Sequence, residues 1–159
     1  MPNPAQAISS PSPEISNLAT PINSSGIVKA FISNLPAYRA GLSPQRRGLE
    51  IGMAHGYFLI GPFTLLGPLR SNSQADLAGL LSTVGLVVIL TICLSLYAST
   101  LPAPPLASVA VPKPPTDLNN KKGWSEFTTG FLIGGAGGAA FGYFLLANIP
   151  VLSTFSILN

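Results

Sequence analysis

Three apolar runs, residues 48–69, 77–99 and 126–149, are each long enough to cross a lipid bilayer, and they restrict this chain more than any other feature. At a rise of about 1.5 Å per residue, the first run is about 33 Å long as a helix, close to the thickness of a hydrocarbon core. Pro62 removes one backbone donor inside it and predicts a kink, and Gly67-Pro68 ends it. The second run, "LAGLLSTVGLVVILTICLSLYAS", holds no charged residue, and the third is closed by Pro150. Only 8% of all residues are charged, against about 25% in ordinary soluble domains. The expected fold is therefore all-α: a single membrane domain over 1–159 with three transmembrane helices. An irregular N-terminal extension covers 1–45, and a Pro-rich loop covers 100–123.

Seven of the eight basic residues lie on one side of this topology. Lys29, Arg39, Arg46 and Arg47 precede the first span, and Lys113, Lys121 and Lys122 lie between spans two and three. Only Arg70 falls between spans one and two. The asymmetry predicts that the N-terminal extension and the Pro-rich loop face the cytoplasm. No basic run alternates with aromatics, so nucleic acid is not an expected partner; the lipid bilayer is. The N-terminus has neither a basic n-region with an apolar h-region nor arginines, so insertion without cleavage is expected. Within the extension, Ile27, Val28, Phe31, Ile32 and Leu35 recur at helical spacing, a stripe suited to packing on the core or on a partner. Trp124 and Tyr143 are placed to act as interfacial anchors. Cys93, the single cysteine, lies in the second span and reads as a small buried hydrophobe.

Glu50 and the only histidine, His55, interrupt the first span. An ionised group at the centre of a span costs about 2.5–3.5 kcal/mol, and less near its ends. A structural role is open to both. Glu50 lies three residues from Arg47, at ion-pair spacing, and a neutral histidine would hydrogen-bond a carbonyl of another span. The functional reading is metal ligation. Five residues rotate about 140° around a helix, so the two side chains point to different faces and cannot share one chelate. Each can instead give one axial ligand to a metal already held by a tetrapyrrole; carboxylate suits magnesium, and imidazole suits several metals.

Gly48, Gly52 and Gly56 form a smooth stripe on the first span, and Gly130, Gly134, Gly138 and Gly142 form one on the third. Such faces let helices or flat rings approach the backbone, whether within one subunit or between subunits in an oligomer. Catalysis has no support. No nucleophile–base set or paired carboxylates are placed for it, and "GGAGGAAFG" lies inside an apolar span. Asp76 and Asp117 fall in loops and read as solvated.

The stretches "FISNLPAYRAGLSPQRRGLEIGMAHGYFLIGPFTLLGPLR" and "GWSEFTTGFLIGGAGGAAFGYFLLAN" resemble subunit XI, the L subunit, of cyanobacterial photosystem I. The Pro-rich linker between spans two and three matches as well, and the similarity spans residues 20–150. The resemblance implies a non-catalytic subunit that binds chlorophyll a and β-carotene at the edge of the reaction centre. It implies Glu50 of "RGLE" and His55 of "MAHGY" as ligands of chlorophyll magnesium. It also implies neighbouring photosystem I subunits and further L subunits as partners, in a trimer or, in some lineages, a tetramer. The expected location is the thylakoid, or the plasma membrane where thylakoids are absent. A Ca²⁺ near Pro68 and Ser71 is implied too, but Ser71 stands where trimer-forming relatives often carry Asp. A neutral hydroxyl is a poorer Ca²⁺ ligand than a carboxylate, which weakens that site.

Two other functions remain open on the residues alone. One is a purely structural oligomerisation module built on the glycine stripes. The other is a small ion- or proton-conducting protein using Glu50 and His55.

Overall fold

A computed structural model describes residues 20–102, 109–111 and 114–149. The chain divides into two compact units. One contains α1 (Gly26–Asn34); the other contains α2 (Pro44–Leu66), α3 (Ala75–Ser99) and α4 (Lys121–Asn148). No strand occurs among the described residues. The three long helices are apolar enough, and long enough, to cross a membrane.

Each helix starts where its local chemistry permits. Ser43 accepts the Arg46 N–H, and Pro44 occupies the first turn, where its missing N–H does no harm. Asn120 likewise caps α4 through the N–H of Gly123. These caps explain why α2 and α4 begin four and five residues before the apolar runs at 48 and 126. Polar first turns extend the helices past the hydrocarbon. At the other end α2 continues through Pro62 and stops at Leu66, because Gly67 is extended ahead of Pro68. The Pro-rich loop is correspondingly shorter than 100–123.

The N-terminal extension is less irregular than expected. Ser25 accepts the Val28 N–H and starts α1, a helix of 9 residues. Its apolar stripe is split. Ile27 and Phe31 are 85% and 65% exposed, while Val28, Ile32 and Leu35 are half-buried. The tail over 1–19 lies outside the described residues, as do Lys113 and Pro150.

α2 and α4 pack through both glycine stripes. A methyl group on Gly48, Gly52 or Gly56 would overlap the carbonyl oxygen of Phe127, Phe131 or Gly135. Reciprocally, Gly130, Gly134 and Gly138 face the carbonyl oxygens of Gln45, Leu49 and Met53. Both series advance in the same direction by one turn at a time, so the helices run parallel. Farther along, a methyl on Gly142 would stand 2.7 Å from Ile60 Cγ2. Backbones this close gain dispersion contacts, the main source of helix association in lipid. The contact is made within one chain, so these glycines are already buried against α2.

α3 runs antiparallel to both. Gly79 near its start meets Thr64 near the end of α2, and Val87 lies against Gly135. Near its end, Tyr97 meets Trp124 edge-on at 5.5 Å. Thr83 and Thr91 donate to the carbonyls of Gly79 and Val87 at 2.8 Å, which satisfies their hydroxyls inside the span.

Three side chains differ from expectation. Cys93 is exposed on the outer face of α3, because the inner face of that helix is taken by Gly79, Thr83 and Val87. Asp117 is not merely solvated: it accepts from Arg47, whose side chain is buried. Asp76 sits in the first turn of α3 with Oδ1 buried.

Candidate functional site

α2 carries both ionisable groups of the first span, and the glycine contact separates them. Gly48, Gly52 and Gly56 face α4, with His55 flanking the stripe on one side and Glu50 on the other.

His55 is exposed, with its ring held at two points. Nδ1 lies 2.7 Å from the carbonyl oxygen of Ile51, one turn back on the same helix. The ring also meets Phe131 of α4 edge-on, at 5.5 Å and 64°. A carbonyl oxygen only accepts, so this contact assigns the proton to Nδ1 and leaves the lone pair on Nε2. Metal-bound histidines are typically oriented in this way by a carbonyl on the second ring nitrogen. The carbonyl partner belongs to its own helix, not to another span.

Glu50 lies nearly two turns into α2, with its side chain 20% exposed. Its Oε1 accepts from Arg46 Nε at 3.2 Å, an i, i+4 pair. Arg47, at i−3, directs Nε and Nη2 to Asp117 at 3.2 and 3.1 Å. Glu50 stands at one end of an open, apolar groove of about 530 Å³ between α2 and α4. Met53, Ala54, Tyr57 and Phe141 form its walls, and Gly137 and Gly138 lie along its α4 side. A side chain on Gly137 would meet nothing within 4 Å, so the groove floor is bare backbone. Tyr57 and Phe141 lie 6.1 Å apart with their rings tilted by 32°.

The arrangement fits two single-point ligands and not one chelate. Among the described residues, no group of three or more His, Cys, Asp or Glu could hold a bare metal ion. A metal that brings its own four equatorial donors needs one axial ligand only. An imidazole nitrogen such as His55 Nε2 and a carboxylate such as that of Glu50 are both donors of that kind. The flat, apolar walls beside Glu50 suit a large planar ring.

The loop after α2 is different. Ser71 is exposed, and both the Arg70 N–H and its Nη1 reach the carbonyl of Gly67, next to Pro68. Pro68 and Ser71 offer only neutral oxygens, beside a guanidinium. Within one chain this set does not fit Ca²⁺.

The sequence model of the family described as photosystem I reaction centre subunit XI matches residues 7–151. The chain belongs to the photosystem I reaction centre subunit XI family. Photosystem I reaction center subunit XI of a Nostoc strain is 59% identical over 140 residues, which cover 88% of this chain and 81% of that protein. The counterpart from Synechococcus elongatus is 62% identical over 135 residues, covering 84% and 81%. A Picosynechococcus counterpart is 60% identical over 142 residues, covering 89% and 93%.

Membership in the subunit XI family leaves the roles of single residues to the geometry. Reading the sequence did not reveal Phe131 as the neighbour of His55, nor Tyr57, Gly137 and Phe141 as the groove beside Glu50. In the sequence Glu50 was set beside Arg47 at i, i+3, and Arg46 at i, i+4 was not named. The others depend on the register between α2 and α4.

Proposed function

We propose that this chain is a non-catalytic, chlorophyll-binding subunit of photosystem I, with His55 and Glu50 each ligating one chlorophyll a. The observation that supports this most strongly is the His55 ring: Nδ1 lies 2.7 Å from the Ile51 carbonyl oxygen, an acceptor, which in a neutral imidazole puts the lone pair on Nε2, and the residue is exposed on a membrane-spanning helix. The bound chlorophyll supplies the magnesium and the excited state. The protein supplies ring position, orientation and local field. Arg46 holds Oε1 of Glu50 at 3.2 Å, and a carboxylate is a donor suited to magnesium. β-Carotene would lie along the exposed aliphatic outer faces of the helices.

The subunit also joins copies of the complex, a trimer being favoured and a tetramer the alternative. Gly130, Gly134 and Gly138 are occupied by α2, so these contacts would use outer residues such as Leu81, Ile89, Ile92 and Leu96. A purely structural module would not need a histidine so oriented in mid-span. The complex would lie in the thylakoid, or in the plasma membrane where thylakoids are absent, with α1 on the cytoplasmic side as the basic residues indicate.

Pigment counting tests the proposal. The purified complex should lose one chlorophyll per reaction centre with His55→Leu, and one with Glu50→Leu. Unchanged pigment content in both variants would refute the assignment.

A further inference from the structure

A second groove lies at the α3–α4 contact, away from both proposed ligands. Here the end of α3 meets the beginning of α4. The cavity is about 280 Å³ and is open along the helix surface. Ser95, Ala98 and Ser99 line it from α3, and Lys121, Trp124 and Ser125 from α4. Its position is interfacial: α3 stops at Ser99, and α4 starts at Lys121.

The lining is chemically divided. The indole of Trp124, packed edge-on against Tyr97 and Phe127 at 5.5 and 5.7 Å, forms a rigid wall. Lys121 is exposed at the mouth and makes no ion pair among the described residues, whereas the adjacent Lys122 lies 3.9 Å from Glu126. No carboxylate lines the cavity. The Ser99 hydroxyl is spent on the carbonyl of Leu96, and that of Ser95 on Thr91, so both present only lone pairs to the groove. The Trp124 Nε1 is buried and has no acceptor among the described residues. One end of the groove therefore carries a free cation and hydroxyl groups. The other runs into the span along Ser95 and Ala98, where hydrocarbon is the surrounding medium.

The geometry points to a bound anionic glycerolipid, with its phosphate or sulfonate headgroup on Lys121 and one acyl chain along the α3–α4 groove. A cation at membrane-interface depth with no counter-ion among the described residues is complementary to such a headgroup. The aliphatic stem of lysine lets the ammonium reach that level while its methylenes cover apolar surface. A free phosphate would satisfy Lys121 but not the intramembrane part of the groove. The lipid would fill a gap between two helices that the side chains leave open. It would also bring a negative charge to the side of the chain with the basic excess.

The test measures lipid retained by the intact, detergent-washed photosystem I complex, using extraction and quantification by mass spectrometry. Three variants are compared with wild type: Lys121→Gln, Lys121→Arg and Ser95→Phe. Wild type should retain one anionic glycerolipid per copy of this chain more than Lys121→Gln. Lys121→Arg should keep it, because it keeps the charge. Ser95→Phe should lose it by blocking the acyl path, and chlorophyll content should stay constant in all three. Equal anionic lipid in wild type and Lys121→Gln would overturn the proposal. So would retention in Ser95→Phe, which would mean that only a headgroup-sized anion binds. Loss of a neutral lipid instead of an anionic one from Ser95→Phe would overturn the charge assignment.

Discussion

Arg47 grips Asp117 with two nitrogens, Nε at 3.2 Å and Nη2 at 3.1 Å from the same carboxylate oxygen. The arginine is 2% exposed and the carboxylate faces it from the loop just ahead of the Asn120 cap. The pair joins the start of α2 to the approach of α4, at the end where the parallel glycine contact begins. Asp117→Ala removes a partner from a buried guanidinium and should destabilise the bundle by about 1–3 kcal/mol. Asp117→Asn keeps the shape and one acceptor and should lose less. Heat-induced release of the subunit from the purified complex measures both.

The glycine contact gives a prediction with an internal control. Gly134→Ala places a methyl group on the carbonyl of Leu49, and backbone cannot move aside as a side chain can. Overpacking of this kind costs about 1–3 kcal/mol, or more where backbone is involved. Gly85→Ala, in α3 with nothing within 4 Å of the new methyl, should be neutral or gain up to about 1 kcal/mol. Thermal unfolding of the two variants should therefore shift in opposite directions or differ clearly.

Arg46 and Glu50 make a further pair whose disruption should be selective. Arg46→Gln removes the Arg46 contact to Oε1, so the chlorophyll assigned to Glu50 should dissociate more readily in detergent. The chlorophyll assigned to His55 should be retained, because Phe131 and Ile51 hold that ring independently. Arg46→Lys should restore part of the retention. Time-resolved pigment loss with absorption spectra of the residual complex follows both sites.

Cys93 lies on the outer face of α3 and touches no part of the glycine contact. Cys93→Ala should change stability by less than about 0.5 kcal/mol, the usual size for outer-face changes. The same melting experiment reads it.

Much of this architecture was legible in the sequence, because apolar length and glycine spacing are direct consequences of bilayer thickness and helix pitch. Three spans, their order and the two glycine stripes follow from those alone. Helix ends were less legible. The hydrophobic run marks where hydrocarbon begins, whereas Ser43 and Asn120 mark where the helix begins. The burial of Arg47 was hidden because its partner, Asp117, lies 70 positions away in the chain. Cys93 was misjudged because a uniformly apolar span gives no sign of which face turns inward. For the site, the 140° offset separated Glu50 and His55 correctly. Phe131 and the groove at Gly137 required the α2–α4 register, which only the packed structure supplies.

A density map of the assembled complex, at a resolution that separates pigment rings from lipid, tests the central claim most directly. The account predicts one chlorophyll whose magnesium sits on Nε2 of His55, with Nδ1 still on the Ile51 carbonyl. It predicts a second on the carboxylate of Glu50, lying along the Tyr57–Phe141 groove. Lipid, a neighbouring side chain or a water-filled space at His55 Nε2 would contradict it.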